Sequence, residues 1–329
     1  MTIHDAAALT DPVDSIASGT PFTSERVAEL AERAGLHFPE TVLGAVTAAL
    51  RSGKHVVLTG PPGTGKSSLA KLVAQAGQEA LLCTGCLSAT ATSDWTVADT
   101  IGTGVDNPEG RGFRAGVVTE SIETGRWLLI DELNRADVDR ALGELFSVLA
   151  GQKVVLPHRR NEFADPLAIV PPGAPVPPNT EAICIPRPWR IIATMNTTDR
   201  GLLFTLSRAL MRRFAFVNVF SPDDSIVEQL LEGPGDIVSK LLPIRELQDI
   251  GPAIFLDAAD YAAIRLCDGT DRSLVLFEAF TAYVLPQLDP LDARGAARLL
   301  EILDSTLAPP EQAGVRALLA EFDVVGISL

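Results

Sequence analysis

An eight-residue segment of this chain has the residue types and the spacing of a loop that binds phosphate groups. It contains a glycine at position 60 and, after four further residues, the triplet Gly65-Lys66-Ser67. Glycines let the backbone curl so that successive N–H groups point at phosphate oxygens. The Lys66 ammonium can reach the β- and γ-phosphates, and the Ser67 hydroxyl can ligate Mg²⁺. We therefore predict a nucleotide site formed by Gly60, Pro61, Pro62, Gly63, Thr64, Gly65, Lys66, Ser67 and Ser68.

A pair of acidic residues supplies the second half of the expected chemistry. The apolar run Trp127–Ile130 is followed directly by Asp131 and Glu132, and ligands in α/β sheets bind beside the carboxyl ends of strands. We expect Asp131 to hold Mg²⁺ together with Ser67, and Glu132 to polarise the attacking water as a general base. The preferred nucleotide cannot be inferred from these motifs, because the residues that contact the base cannot be located in the sequence.

These residues must be brought together by alternating strands and helices. Short apolar runs predict buried strands at 55–59, 127–130, 191–194 and 214–219, and helical patterns lie between them. Such alternation is typical of an α/β sheet with short right-handed crossovers. The fold class we predict is that of the phosphate-loop NTPases, a three-layer αβα sandwich around a mainly parallel sheet.

The pattern along the chain changes twice, which predicts three parts. Residues 1–22 have no sustained periodicity and are expected to be a flexible N-terminal segment. Residues 23–220 carry the strands and motifs of the α/β domain. From residue 221 the strand signals stop, so 221–329 is predicted to be a small, all-helical lid domain, with helices at 271–285, 292–307 and 310–322.

Composition and charge exclude several classes of protein. Hydrophobic residues make up 47% of the 329 positions, yet no apolar run is long enough to span a bilayer. The acidic N-terminus is unlike a signal or transit peptide, and four cysteines are too few for a disulfide framework. Residues 221–329 hold 19 acidic and 7 basic side chains, a net charge of −12, whereas residues 51–220 carry +2. We expect a cytoplasmic protein with no membrane span, in which only the middle segment could offer clustered cations to DNA.

One segment has an unusual composition. Residues 157–188 contain 9 of the 23 prolines, and proline removes backbone donors that a sheet interior or a helix needs. Strand-like runs flank this segment at 153–156 and 182–185. We therefore predict a hairpin, at about 153–186, whose long tip is stiffened by the prolines.

The motifs together resemble those of the AAA+ ATPases, and in particular the helix-2-insert group that includes MoxR, McrB and the dynein-related domains. Ile130–Ala136 is similar to the acidic motif of that group, and Thr194–Arg200 resembles its sensor-1 segment. Arg208–Phe216 resembles the segment that carries its arginine finger. These motifs occur in the family's order, and the resemblance covers about residues 40–220.

The resemblance implies roles for four further residues. Asn196 would orient water against the γ-phosphate. Arg213, with Arg212 beside it, would project into the site of a neighbouring subunit, the alternative being surface salt bridges. Arg272 is the candidate for the sensor-2 arginine, and an ion pair with Asp271 or Glu278 is the alternative.

The resemblance also implies two insertions that face the pore of a ring. The first is the helix-2 insertion at about 94–114, and the second is the pre-sensor-1 hairpin at about 153–186. The candidate contacts to a substrate are the cationic residues of these insertions, with a solvated charged loop as the alternative. They are Arg111, Arg114, His158, Arg159 and Arg160.

The function implied by the resemblance is that of a Mg²⁺-dependent ATPase that assembles into a ring, expected to be hexameric, and remodels a protein partner. In MoxR-like chaperones that partner is a von Willebrand A-type protein. The alternative is a McrB-like motor that uses GTP or ATP to drive a nuclease or defence complex, and that meets DNA only indirectly. A third reading, a scaffold that binds nucleotide and hydrolyses it poorly, is disfavoured because Glu132, Asn196 and Arg213 are all present.

Overall fold

A computed structural model describes residues 20–107, 110–197, 211–233 and 235–321. They fall into two compact units. The first, called here the sheet unit, comprises the residues up to Thr59 and Lys66–Val219, and the second, the helical unit, comprises Gly60–Gly65 and the residues from Phe220 onward. In the part of the chain that is described, no helix has the length and apolar character needed to cross a bilayer.

The sheet unit alternates strands and helices along the chain. Its elements are α1 (Ser24–Arg33), α2 (Glu40–Arg51), β1 (His55–Gly60), α3 (Lys66–Glu79), β2 (Cys86–Thr90), α4 (Val97–Thr100), β3 (Gly102–Asn107), β4 (Gly110–Ala115), α5 (Val117–Glu123), β5 (Trp127–Asp131), α6 (Val138–Ala141), α7 (Gly143–Leu149), β6 (Val154–Arg159), β7 (Pro166–Val170), β8 (Glu181–Cys184), β9 (Ile191–Asn196) and β10 (Phe214–Asn218).

A five-stranded sheet in the order β10-β1-β9-β5-β2 forms the centre of this unit. The pairs β1–β10, β2–β5 and β5–β9 are parallel. Alternate residues of the central strands point to opposite faces, so that Val57, Leu128 and Ile130 join one apolar cluster and Val56, Leu58 and Leu129 join another. Helices cover both faces, because a strand buried on both sides needs an apolar layer on each. The predicted fold class is confirmed.

The strand pairing of the proline-rich region differs from our prediction. β6 pairs with β7 in an antiparallel hairpin, and β7 then pairs with β8 in parallel. The predicted hairpin at 153–186 is therefore wrong: the hairpin turn is formed by 160–165, and the proline-rich segment is the connection between two parallel strands. A connection of this kind needs no ladder hydrogen bonds of its own, which is why prolines are tolerated in it.

The arginines that were predicted to contact a substrate differ in their ion pairs and exposure. Arg160 forms ion pairs with Glu123 of α5 and Glu181 of β8, so it ties the hairpin to the body of the sheet unit rather than facing a substrate. By contrast, β3 and β4 form a separate antiparallel hairpin in which Arg111 and Asp106 lie opposite each other and are exposed.

The helical unit contains no strand among its described residues. Its helices are α8 (Asp224–Leu230), a 3₁₀ segment (Asp236–Glu246), α9 (Pro252–Cys267), α10 (Arg272–Ala279), which continues as a π-helical turn (Phe280–Val284), a 3₁₀ turn (Leu285–Gln287), α11 (Ala293–Thr306) and α12 (Pro309–Glu321). Phe255 and Phe280 are fully buried in its core. The side chains of Asp271 and Asp292 cap α10 and α11 by accepting backbone N–H bonds.

Candidate nucleotide site

The loop that follows β1 has the backbone that its sequence predicts. Gly63 and Gly65 have φ angles of +76° and +82°, a region that L-residues with a side chain rarely adopt. The Thr64 hydroxyl donates a hydrogen bond to the carbonyl oxygen of Pro61 at 3.0 Å and closes the turn. Lys66, the first residue of α3, is 6% exposed.

A second glycine allows this loop to pack closely against the start of α9. A Cβ atom built on Gly251 would lie 2.3 Å from the carbonyl carbon of Gly63 and 2.4 Å from the carbonyl oxygen of Pro62. Such distances exclude any side chain at position 251. The backbone of the loop is therefore supported by a direct backbone contact within the helical unit.

Asp131 lies at the centre of a hydrogen-bond network at the carboxyl end of the sheet. Its Oδ1 atom accepts a hydrogen bond from the Ser67 hydroxyl at 2.6 Å and another from the Thr194 hydroxyl. β5 supplies Asp131 and the adjacent β9 supplies Thr194, while Ser67 comes from the first turn of α3. Asp131 and Ser67 are thus brought together, although 64 residues separate them in sequence.

Glu132 is held in a backbone conformation that is unfavourable for a residue with a side chain. Its φ and ψ angles are 55° and 45°, in the left-handed region, which costs about 1–2 kcal/mol. Its N–H donates to the Thr194 hydroxyl oxygen at 3.0 Å. Its carboxylate pairs with Arg135, with 2.6 Å between Glu132 Oε2 and Arg135 Nε. Backbone strain of this kind persists where surrounding contacts fix it, as is common in active sites.

Asn196 ends β9, the strand that lies between β1 and β5 in the sheet. Its carbonyl oxygen accepts a hydrogen bond from the side-chain amide of Asn134 at 3.3 Å, and Asn134 is 1% exposed. This contact links the turn after Asp131 to the end of β9. Asn196 therefore lies at the same edge of the sheet as the acidic pair.

The donor set around Asp131 fits a small hard cation. A carboxylate and a hydroxyl 2.6 Å apart, with a second hydroxyl on the same carboxylate oxygen, present oxygen ligands of the kind that Mg²⁺ prefers. Mg²⁺ commonly keeps several waters and takes one or two protein ligands besides the phosphates of its substrate. Ser67 and Asp131 are the residues that would hold it.

Arg212 and Arg213 lie at the opposite end of the sheet from the phosphate-binding loop. β10 pairs with β1 so that Phe214 lies opposite His55 and Asn218 lies opposite Thr59. At about 3.3 Å per residue, Arg213 is about 17 Å along the strands from the level of Thr59. Two hydrogen bonds fix this position: the carbonyl of Arg213 accepts the backbone N–H of His55 at 3.2 Å, and the carbonyl of Arg212 accepts from the Lys54 side chain, Nζ, at 3.1 Å.

Arg272 begins α10 and forms an exposed ion pair with Asp236, at 3.4 Å. Neither of the alternative partners is used, because Asp271 caps the helix and Glu278 pairs with Arg265. The sequence match to the arginine-finger segment, Arg208–Phe216, falls partly outside the described residues, as does the end of the sensor-1 segment.

Comparison with known proteins identifies the family of the domain that carries this site. Residues 55–214 match the model of the AAA domain family, dynein-related subfamily. The chain contains an AAA+ domain of this group. The chain is 29% identical over 195 residues to the Escherichia coli K12 McrB subunit, a type IV methyl-directed restriction enzyme. It is 30% identical over 171 residues to midasin of Giardia intestinalis.

These matches are confined to part of each relative. They cover 56% and 50% of this chain, but only 39% of the McrB subunit and 3% of midasin. A crystal structure of NtrX from Brucella abortus in complex with ADP is also similar, at 16% identity and a TM-score of 0.45, over 84% of this chain and 64% of that one. Membership of the AAA family implies that the AAA domain binds nucleotide.

Four residues of the site were not among the sequence predictions. Thr194 contacts both acidic residues, Asn134 bonds to the end of β9, and Arg135 pairs with Glu132. All three lie inside the motifs that were compared with the AAA+ family, which is the signal that could have found them. Gly251 lies in no motif, and nothing in its sequence context indicates a contact with a loop almost 190 residues earlier.

Proposed function

We propose that this protein is a Mg²⁺-dependent nucleoside triphosphatase, with ATP as its substrate. The observation that carries this proposal is the network in which Asp131 accepts from Ser67 and from Thr194, while Thr194 accepts the N–H of Glu132. The network connects Ser67 of the phosphate-binding segment, Asp131 as the expected metal ligand, and Glu132 as the expected general base. A simple acidic turn would need no such connection.

Each residue then has one task in the hydrolysis. The loop N–H groups and Lys66 bind the β- and γ-phosphates. Ser67 and Asp131 would hold a divalent cation, which would supply positive charge to the phosphates. Glu132 accepts the proton of the attacking water, and Asn196 orients that water from the neighbouring strand.

Arg213 completes the site of a neighbouring subunit. Its position, about 17 Å along the strands from the level of Thr59, is farther than an arginine side chain can reach, so we assign it to the loop of another copy. A guanidinium supplied by an adjacent copy would neutralise the charge that develops on the transferred phosphoryl group. Because each site then needs an adjacent copy, we propose that the chains assemble into a ring, with a hexamer as the expected size.

The partner of the ring is a protein that contacts the two hairpins of the sheet unit. A cavity of about 910 Å³ lies between β3–β4 and β6–β7 and is lined by Arg111, His158 and Arg159. At the turn of the second hairpin, Phe163 is 94% exposed. A large aromatic side chain beside Arg111 and Arg159 can contact extended polypeptide of mixed composition. Remodelling of a protein partner, as in MoxR-like chaperones, is the function we propose for the ring.

A second candidate function is favoured by one observation, the 195-residue match to the McrB subunit. In that case the ring would drive a nuclease partner, and GTP would be a substrate beside ATP. The two candidates differ in what stimulates hydrolysis. Stimulation by a von Willebrand A-type protein supports the first, and stimulation by a nuclease subunit supports the second.

The hydrolytic function is tested by replacing the proposed base. Glu132→Gln keeps the shape of the side chain but cannot accept a proton, so we expect hydrolysis to be at least about 100-fold slower while ATP–Mg²⁺ still binds. Glu232→Gln, at an exposed position of the helical unit, is the matched control and should hydrolyse normally. Wild-type turnover by Glu132→Gln would show that the acid has been assigned the wrong role.

A further inference from the structure

A second cavity lies at the amino end of the strands, away from the phosphate-binding loop. Its volume is about 330 Å³, which is within the range of small-ligand pockets. It is bounded by the start of β1, the end of α7, the segment before β9 and the proline-rich connection between β7 and β8. Pro171, Pro172 and Pro186 give it stiff walls. Lys66, Ser67, Asp131, Glu132 and Asn196 do not line it, whereas Arg213, the proposed finger for a neighbouring subunit, does.

A buried arginine forms one wall of this cavity. Arg190 is 8% exposed, and its Nε and Nη1 atoms donate to the carbonyl oxygens of Leu50, Arg187 and Trp189 at 2.7–2.9 Å. Its Nη2 atom has no hydrogen-bond partner among the described residues. Gly53 lies beside this atom, at a distance where a Cβ would be 3.9 Å from Nη2. Because glycine has no Cβ, no side chain of residue 53 covers the atom. No carboxylate lies within ion-pair distance of Arg190 in the described part of the chain.

The other charged residues that line the cavity are also cationic. Lys54 and Arg187 are exposed, and Arg213 is half-buried. Among the described residues that line the cavity, none is acidic. A buried guanidinium that has no carboxylate partner raises the free energy of the folded protein, and nearby cations raise it further by repulsion. An anion bound in the cavity would offset it.

Burial and neighbouring charge lower the pKa values of two residues that line the cavity. Burial lowers the pKa of Arg190 to about 10, which leaves it charged at neutral pH. Burial, together with the charges of Arg190 and Lys54, lowers the pKa of His55 to about 3. Neutral His55 accepts the N–H of Ile191 on Nδ1 at 2.9 Å, so its proton is assigned to Nε2, which is a further neutral donor.

We propose that this cavity is a binding site for a phosphate group, with Arg190, Arg187 and Lys54 as its ligands. Several cations, with no acidic residue among the described residues that line the cavity, match a doubly charged oxyanion better than a single carboxylate. The guanidinium of Arg190, held rigidly by three carbonyl oxygens, offers its remaining N–H donors in a fixed orientation. The phosphate is either free inorganic phosphate or part of a nucleotide.

Phosphate binding to the full chain tests this site. Because the Gly60–Ser67 loop also binds phosphate, the titration uses Lys66→Ala as its background. We expect inorganic phosphate, added against a sodium chloride control of equal ionic strength, to bind saturably in calorimetry with one phosphate per chain. In the same background, Arg187→Gln and Lys54→Gln should each weaken binding about tenfold, as expected for charge-assisted hydrogen bonds. Both positions are exposed, so the variants should fold.

A matched variant and a second titrant make the result decisive. Arg140→Gln removes an exposed arginine of α6 that does not line the cavity, and it should bind phosphate as the background does. A parallel titration with ADP distinguishes the sources: binding of inorganic phosphate alone identifies a free anion, and binding of both with the same sensitivity to Arg187→Gln identifies a nucleotide phosphate. Absence of saturable binding, or equal affinity in all variants, would overturn the proposal. Neither result depends on whether the protein hydrolyses ATP.

Discussion

Thr194 is the residue whose replacement tests the architecture of the site most sharply. Its side chain is 2% exposed, and its hydroxyl both donates to Asp131 and accepts the N–H of Glu132. Thr194→Val replaces this hydroxyl by a methyl group of nearly the same size. The change therefore removes two hydrogen bonds while leaving the packing of β9 in place.

The expected effects follow from those two bonds. A hydrogen bond to a charged carboxylate is worth about 1.5–3 kcal/mol, and a part-buried N–H left without a partner costs about 1 kcal/mol, so the free energy of unfolding should fall by about 2.5–4 kcal/mol. Glu132 also loses a contact that holds it in its left-handed conformation. We expect Glu132 to relax and hydrolysis to slow about 10- to 100-fold, because small displacements of a catalytic group are costly.

The assay combines steady-state ATP hydrolysis with urea unfolding, and Thr194→Ser is the matched control. Serine keeps the hydroxyl and loses only a buried methyl, so it should lose about 1 kcal/mol of stability and retain hydrolysis close to that of the wild type. Nucleotide affinity should be little changed in both variants. If folded Thr194→Val hydrolysed ATP as fast as Thr194→Ser, the network would not position Glu132 and the reasoning would be refuted.

Two further predictions follow from the structure. Gly251→Ala would place a Cβ 2.3 Å from the backbone of Gly63, so we expect nucleotide affinity, measured with a fluorescent analogue, to fall at least about tenfold, whereas Gly44→Ala, which faces open space in α2, should leave it unchanged. His55, whose pKa falls from 6.5 to about 3 in the folded protein, stays neutral while the unfolded chain takes up a proton. The free energy of unfolding of the wild type should therefore fall by about 2 kcal/mol between pH 7 and pH 5, a loss that His55→Gln should not show. Urea unfolding at several pH values measures this, and the same pH dependence in both proteins would contradict it.

The phosphate-binding loop and the acidic pair could be predicted because their signals are local. The glycines, Lys66 and Ser67 lie within eight residues, and an apolar strand leads directly to Asp131. The alternation of strands and helices gave the fold class for the same reason. The buried central strands β1, β5 and β9 are continuous apolar runs, which are easy to recognise.

The pairing of β6, β7 and β8 could not be read from such local signals. Pro166–Val170 begins with a proline and was included in the supposed tip, although proline is tolerated as the first residue of a strand. Its apolar residues are buried, which decides the pairing, but burial depends on partners that are distant in sequence. β2 was missed because Cys86–Thr90 is a half-exposed edge strand without a continuous apolar run.

The role of Thr194 was also beyond the sequence. Threonine in a core strand is typical of ordinary β-structure, and only the adjacency of β9 and β5 brings its hydroxyl to Asp131. The same holds for Arg190, whose position before a strand gives no indication that it is buried among cations. Such functions arise from the order of strands in the sheet, which local patterns do not specify.

The central claim is that each active site is completed by Arg213 of a neighbouring copy, and mixing two inactive variants tests it most directly. Lys66→Ala lacks the phosphate contact and Arg213→Ala lacks the finger, so each should be nearly inactive alone. In a 1:1 mixture of co-assembled rings, about a quarter of the interfaces would pair an intact loop with an intact finger. We therefore predict that ATP hydrolysis returns to about a quarter of the wild-type rate. An inactive mixture, in rings shown to contain both chains, would contradict the shared site.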